Sequence, residues 1–157
     1  MNNLLKLIAT FFNVGKFPKA PGTIGTLAAV PLFVFMTCVL SLQPLTYMVC
    51  TFLICLIGIF AAQAYEADAT EYDSKEIVID EVAGFLITMA LVPCNYKTII
   101  AGFVLFRFFD ILKPWPISYL DKNVKGGVGV MVDDIAAGIA ASLCLQGLLN
   151  YFPQVLA

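Results

Sequence analysis

The residues best suited to chemistry gather between Arg107 and Asp134, where the chain reads RFFDILKPWPISYLDKNVKGGVGVMVDD. An arginine, four aspartates and three lysines stand there between two apolar runs. Arg107, Asp110 and Lys113 recur at every third position, which places them along one side of a helix. Such a set can bind phosphate oxygens, the arginine as a two-pronged donor and the lysine as a point charge. The plainer alternative is a structural Arg–Asp pair with Lys113 reaching out to a membrane interface. That alternative leaves the rigid Lys-Pro-Trp-Pro exit unexplained. Asp133 and Asp134 follow the glycine-rich stretch 126–129 and are expected to open the last helix, where capping alone would also select acids.

A second acidic pair, Asp80-Glu81, lies in IVIDEVAGFLITMALV, residues 77–92. Neighbours on a helix point about 100° apart. The spacing therefore favours Glu81 as a direct metal ligand, and leaves Asp80 as a ligand or as a partner that orients one. Glu81 shares its stripe with Gly84 and Thr88, small enough for another helix to approach closely. The plain alternative is two acids at the positive end of a helix. Asp80, Glu81, Asp110, Asp133 and Asp134 together form a carboxylate-only donor set, because the chain contains no histidine. Hard oxygen donors of that kind suit Mg²⁺ or Mn²⁺ rather than zinc. The missing histidine also excludes Ser-His-Asp triads and histidine phosphatases. None of the five cysteines forms a C-x-x-C pair or a Cys-x5-Arg phosphate loop, and they are expected to be small buried hydrophobes. Pro21-Gly22-Thr23 with Gly25 resembles a helix N-terminus open to anions, with Thr23 as the expected N-cap; a simple loop-to-helix turn would look the same. Lys19 stands just upstream.

The elements that must position these groups are apolar. Of 157 residues, 61% are hydrophobic and 13% charged, with mean hydropathy +0.91, whereas about a quarter of a soluble domain is charged. The expected class is all-α: a polytopic helical membrane protein forming one domain over residues 1–157, with about five spanning or half-spanning helices and short interfacial helices. The net charge of −2 argues against a nucleic-acid partner. Residues 3–13 are expected to form an interfacial helix with no cleavable leader. Spans are expected over 23–41, 45–65, 77–92, 98–112 and 133–151, with a surface helix over 116–124 anchored by Trp115 and Tyr119. Asp73 and Glu76 are expected to cap the third span. With the N-terminus inside, eight of the nine basic residues lie on that side and only Lys97 lies opposite, which satisfies the positive-inside rule. The eleven acids cluster on or near the same side, so one cytoplasm-facing site is expected.

Four phrases carry a family resemblance: P-x-A-P-G-T-x-G-T (18–26), I-V-I-D-E-x-x-G (77–84), F-R-x-x-D-x-x-K-P-W-P-I (106–117) and D-x-N-V-x-G-G-x-G-V-M-x-D-D-x-x-A-G (121–138). In this order they resemble the phosphatidylglycerophosphatase A family over essentially the whole chain. The resemblance implies Mg²⁺-dependent hydrolysis of phosphatidylglycerophosphate to phosphatidylglycerol and phosphate in the bacterial inner membrane. Expected roles follow. Glu81, Asp110 and Asp134, helped by Asp80 and Asp133, would hold Mg²⁺, and water would attack phosphorus. An aspartyl-phosphate on Asp80 or Asp110 stays open. Arg107, Lys113, Lys19 and the Thr23 helix start would bind the phosphate. Two rival classes exist. A small cation or proton transporter would spread its acids through the membrane depth, and a lipid head-group transferase would need a D-G-x2-A-R signature, which is absent.

Overall fold

A computed structural model describes residues 3–68, 75–152 and 154 of the chain. It is all-helical, with no β-strand among the described residues. A short helix α1 (Asn3–Ala9) and a 3₁₀ turn (Val14–Lys16) lead into α2 (Pro21–Val34), which a π-helical turn extends over Phe35–Val39. Then come α3 (Pro44–Asp68), α4 (Ile79–Thr88) and α5 (Tyr96–Leu112). The short α6 (Ile117–Asn123) and the long α7 (Gly126–Tyr151) complete the chain.

Among the described residues, three stretches are long and apolar enough to cross a bilayer: Pro21–Val39, Pro44–Ala67 and Gly126–Tyr151. At about 1.5 Å per residue, α4 and α5 rise only about 15 and 25 Å, short of the roughly 30 Å hydrocarbon core. They are the two half-length members of the expected five. The bundle still alternates in direction. One end collects the starts of α2, α4 and α7 with the ends of α3 and α5; the other end carries the turns at 40–43 and 89–95.

The long α7 runs through the middle and packs against α3, α4, α5 and α6, while α2 covers α4. α4 is too short to span, so its stability must come from tertiary packing, and most of its residues are buried. Phe33, Phe85, Leu86, Met89, Phe106, Met131 and Leu145 are wholly or almost wholly buried around it. The Tyr47 hydroxyl donates to the Leu86 carbonyl at 2.7 Å and ties α3 to α4.

α4 and α7 approach closely. A Cβ on Gly138 would lie 2.5 Å from the Gly84 carbonyl oxygen, and one on Gly84 would lie 2.5 Å from the Phe106 ring. The Thr88 hydroxyl donates to the Gly84 carbonyl at 2.9 Å and lies 3.4 Å from that of Gly138. The small-residue stripe read from the sequence is thus the seam between these helices.

Several boundaries differ from expectation. α2 begins at Pro21 behind Ala20 rather than at Thr23, because proline at the first helical position already holds the required φ. Thr23 therefore falls inside the first turn. α7 begins at Gly126, so the glycines 126–129 are helical and Asp133-Asp134 stand two turns inside rather than at its opening. The Gln63 side-chain oxygen accepts the Gly127 N–H at 2.9 Å, satisfying one of the donors that a helix start leaves free. α4 begins at Ile79; the expected Asp73–Glu76 cap lies partly outside the described residues. The expected buried cysteines are mostly not buried: Cys55 is, Cys50 and Cys94 are half-buried, and Cys38 and Cys144 are exposed.

Candidate active site

Glu81 stands one turn before Gly84 on α4, and Asp134 one turn before Gly138 on α7. The glycine seam that lets the backbones meet therefore also brings these two carboxylates together. Asp80 joins them, and the three residues each offer an oxygen lying within 4.8 Å of the other two. Asp80 and Glu81 reach one point although they are sequence neighbours. The Asp80 side chain folds back to accept the Glu81 backbone N–H at 3.0 Å, as acids in a first helical turn can.

Glu81 is also pressed against the start of α2. A Cβ on Gly22 would lie 2.1 Å from Glu81 Oε1, so glycine lets the carboxylate stand against that helix N-terminus, and a side chain there would push it aside. The partial positive charge of the helix end favours an anion there. The N-terminal turn that the sequence suggested for phosphate thus already borders a carboxylate.

The remaining two acids of the expected set are ion-paired instead. Asp110 Oδ2 lies 2.5 Å from an Arg107 terminal nitrogen, and the same nitrogen is 3.9 Å from Glu81 Oε1. Arg107 also lies 3.5 Å from the buried Thr26 hydroxyl, which itself donates to the Gly22 carbonyl. Lys113 Nζ donates to Asp121 and to Asp133, each at 2.5 Å. Burial alone would lower the Lys113 pKa, but its hydrogen bonds and charge interactions with Asp121 and Asp133 outweigh that and push it above the ordinary lysine range. It stays protonated at any physiological pH.

These groups surround a cavity of about 610 Å³ at the end of the bundle where α2, α4 and α7 start. Thr23, Asp80, Glu81, Arg107, Asp110, Lys113, Asp133 and Asp134 all line it. Lys19 does not; it is exposed on the approach to α2. The lining also includes Glu66, Lys75, Asp121, Lys122 and Lys125, which the motif reading did not single out. The concentration of lysines on one side of the topology was the signal that pointed to three of them. Nothing local in the sequence marked Glu66 as a cavity residue.

The donor chemistry fits a hard divalent cation. Three carboxylates converge, with Arg107 3.9 Å from Glu81, and Glu81 Oε2 and Asp134 Oδ2 are buried without a hydrogen-bond partner. Buried charge left uncompensated is strongly unfavourable, and an oxygen-seeking cation removes that cost.

The sequence model of one family, phosphatidylglycerophosphatase A, matches residues 7–149. A phosphatidylglycerophosphatase A of Escherichia coli (strain K12) is 38% identical over 154 residues, covering 98% of this chain and 88% of that protein. One from Haemophilus influenzae is 40% identical over 140 residues, 88% of this chain and 85% of that protein. A Bacteroides thetaiotaomicron relative, 39% identical over 137 residues, covers 85% of this chain and 86% of its own length; it carries a provisional name as a phosphatidylinositol-3-phosphatase. No solved structure matches the chain. The matched region contains the α2 start, the α4 acids, the α5 exit and the α7 acids, and the chain belongs to the phosphatidylglycerophosphatase A family of phosphoric monoester hydrolases.

Proposed function

We propose that this chain hydrolyses phosphatidylglycerophosphate to phosphatidylglycerol and phosphate, with Mg²⁺ held by Asp80, Glu81 and Asp134 and the cavity facing the cytoplasm. The observation that carries the reading is the cavity itself, where an unsatisfied three-carboxylate cluster stands beside two held cations. Its volume of about 610 Å³ lies within the roughly 300–1,000 Å³ of small-ligand sites, suited to a lipid head group whose acyl chains stay outside. When bound, the metal supplies Lewis-acid polarisation and makes water a competent nucleophile near neutral pH.

The chain's own residues perform the remaining tasks. Arg107 and Lys113 neutralise the phosphate oxygens as charge builds on them, which is worth most in a site that excludes water. Asp110 and Asp133 fix those two side chains, so that little reorganisation is needed during reaction. The first turn of α2, with Gly22 and Thr23 at the cavity wall, adds backbone donors that no preceding turn can occupy. Lys19 has no place in this arrangement.

The acids gather at one end of the bundle, which favours hydrolysis over transport, since transport acids line a path through the membrane. Cytoplasmic orientation is supported by the lysines at the cavity end. The decisive experiment measures phosphate released from phosphatidylglycerophosphate in mixed micelles, with phosphatidylinositol 3-phosphate in parallel, because the Bacteroides relative is named for it. Turnover should require a divalent cation, vanish with EDTA and return with Mg²⁺. Full turnover after exhaustive chelation refutes the metal assignment, and preference for the inositol lipid refutes the substrate.

A further inference from the structure

At the end of the bundle away from the cavity, two cysteines far apart in sequence meet. Cys38 lies in the π-helical turn that ends α2, and Cys94 lies in the turn before α5. Their sulfurs are 2.9 Å apart, and both are free thiols. A disulfide needs about 2.05 Å, so bond formation asks for a movement of about 1 Å, within the reach of side-chain rotation. Cys38, next to last in the first apolar stretch, is exposed, and Cys94, in the turn before α5, is half-buried.

Both backbones are anchored, which makes the meeting a property of the fold. Beside Cys94, the Thr98 hydroxyl donates to the Pro93 carbonyl at 2.6 Å, and Asn95 and Thr98 cap α5 reciprocally. Around Cys38, the Leu40 and Leu42 N–H groups donate to the Phe35 and Met36 carbonyls at 2.9 and 3.1 Å. The other three cysteines lie on α3 and α7 and take no part in this contact.

We propose that Cys38 and Cys94 are a dithiol–disulfide pair, closed by exchange with an external disulfide oxidant at the face opposite the cavity. The Cys38 thiolate attacks one sulfur of the oxidant, forming a mixed disulfide and releasing one thiol. Cys94 then attacks the Cys38 sulfur, releasing the second thiol. The pair gives up two protons and two electrons, and the oxidant's disulfide becomes two thiols. The bond joins the far end of α2 to the start of α5, the helices whose other ends carry Gly22 and Arg107. Its cellular setting rests on the orientation proposed above, which turns this face toward the compartment where disulfides persist.

The test has two arms. In the first, purified full-length protein in detergent is reduced, treated with oxidised glutathione, alkylated under denaturing conditions and weighed intact. The expected result is a monomer that takes up three alkyl groups instead of five, with one cross-linked peptide containing Cys38 and Cys94. Cys38→Ser and Cys94→Ser should each abolish the closure. Five alkylatable thiols, a bond to Cys50, Cys55 or Cys144, or dimers as the main product would overturn the proposal. In the second arm, intact cells receive a membrane-impermeant disulfide. Closure there supports both pair and orientation, whereas closure only after the membrane is opened keeps the pair and overturns the orientation.

Discussion

Glu81 and Asp134 sit on different helices, yet their oxygens belong to one cluster. Glu81→Gln and Asp134→Asn keep size and remove charge. If the two hold one ion, each change should lower turnover per folded molecule by on the order of 10³-fold or more, as for catalytic groups that act as a unit. The double variant should then lose little beyond the worse single. Small, additive losses would mean independent structural acids. Asp110 separates from them in a different readout. As the partner of Arg107 it positions a phosphate-binding group, so Asp110→Asn should chiefly raise KM, with kcat changed less. At this scale the sequence named the acids of the cluster and the Arg107, Asp110, Lys113 and Asp133 groups beside it, because charge is conspicuous in an apolar chain, but not the outer lining residues Glu66 and Asp121. It could not say which acids pair with cations: the Arg107–Asp110 pair is visible as a three-residue spacing, but Lys113–Asp133 depends on how α5 and α7 dock.

The seam between α4 and α7 is the element that makes the cluster possible. Gly138→Ala would set a methyl 2.5 Å from the Gly84 carbonyl oxygen, and backbone cannot move aside cheaply. Overpacking of this kind costs about 1–3 kcal/mol, and it should also spread Glu81 from Asp134. The expected outcome is a lowered melting temperature together with reduced Mg²⁺ affinity. Gly147→Ala, on the same helix with nothing within 4 Å of the added carbon, should leave Mg²⁺ affinity unchanged and raise the melting temperature slightly, because alanine favours the helix over glycine. Equal behaviour of the two variants would show that the seam does not hold the cluster together. The Glu81, Gly84, Thr88 stripe was legible because a helical repeat is local. The helix starts were less so. Thr23 looked like a cap, but Pro21 set the backbone first, and the α7 glycines looked like a loop although Gln63 supplies a partner from another helix. Both errors arise where a tertiary contact or a proline outweighs ordinary capping preference.

At the scale of the whole molecule, orientation is open to direct measurement. In a background lacking the five native cysteines, Lys122→Cys should react with an impermeant maleimide only from the cytoplasmic side, and Tyr96→Cys only from the other. Both side chains are exposed, at opposite ends of the bundle. Labelling of both from one side would refute the alternating map. Beside the cavity, Trp115 is 81% exposed and Tyr119 60% exposed, on the same short segment as Lys113 and Asp121. Such residues settle at the head-group level of a bilayer. A cavity whose rim is moored at that depth draws substrate by sideways diffusion within the leaflet, and the quantity that sets its rate is two-dimensional. Velocity should therefore follow the mole fraction of substrate in the micelle surface and fall when inert detergent is added at constant bulk concentration, the signature of surface-dilution kinetics.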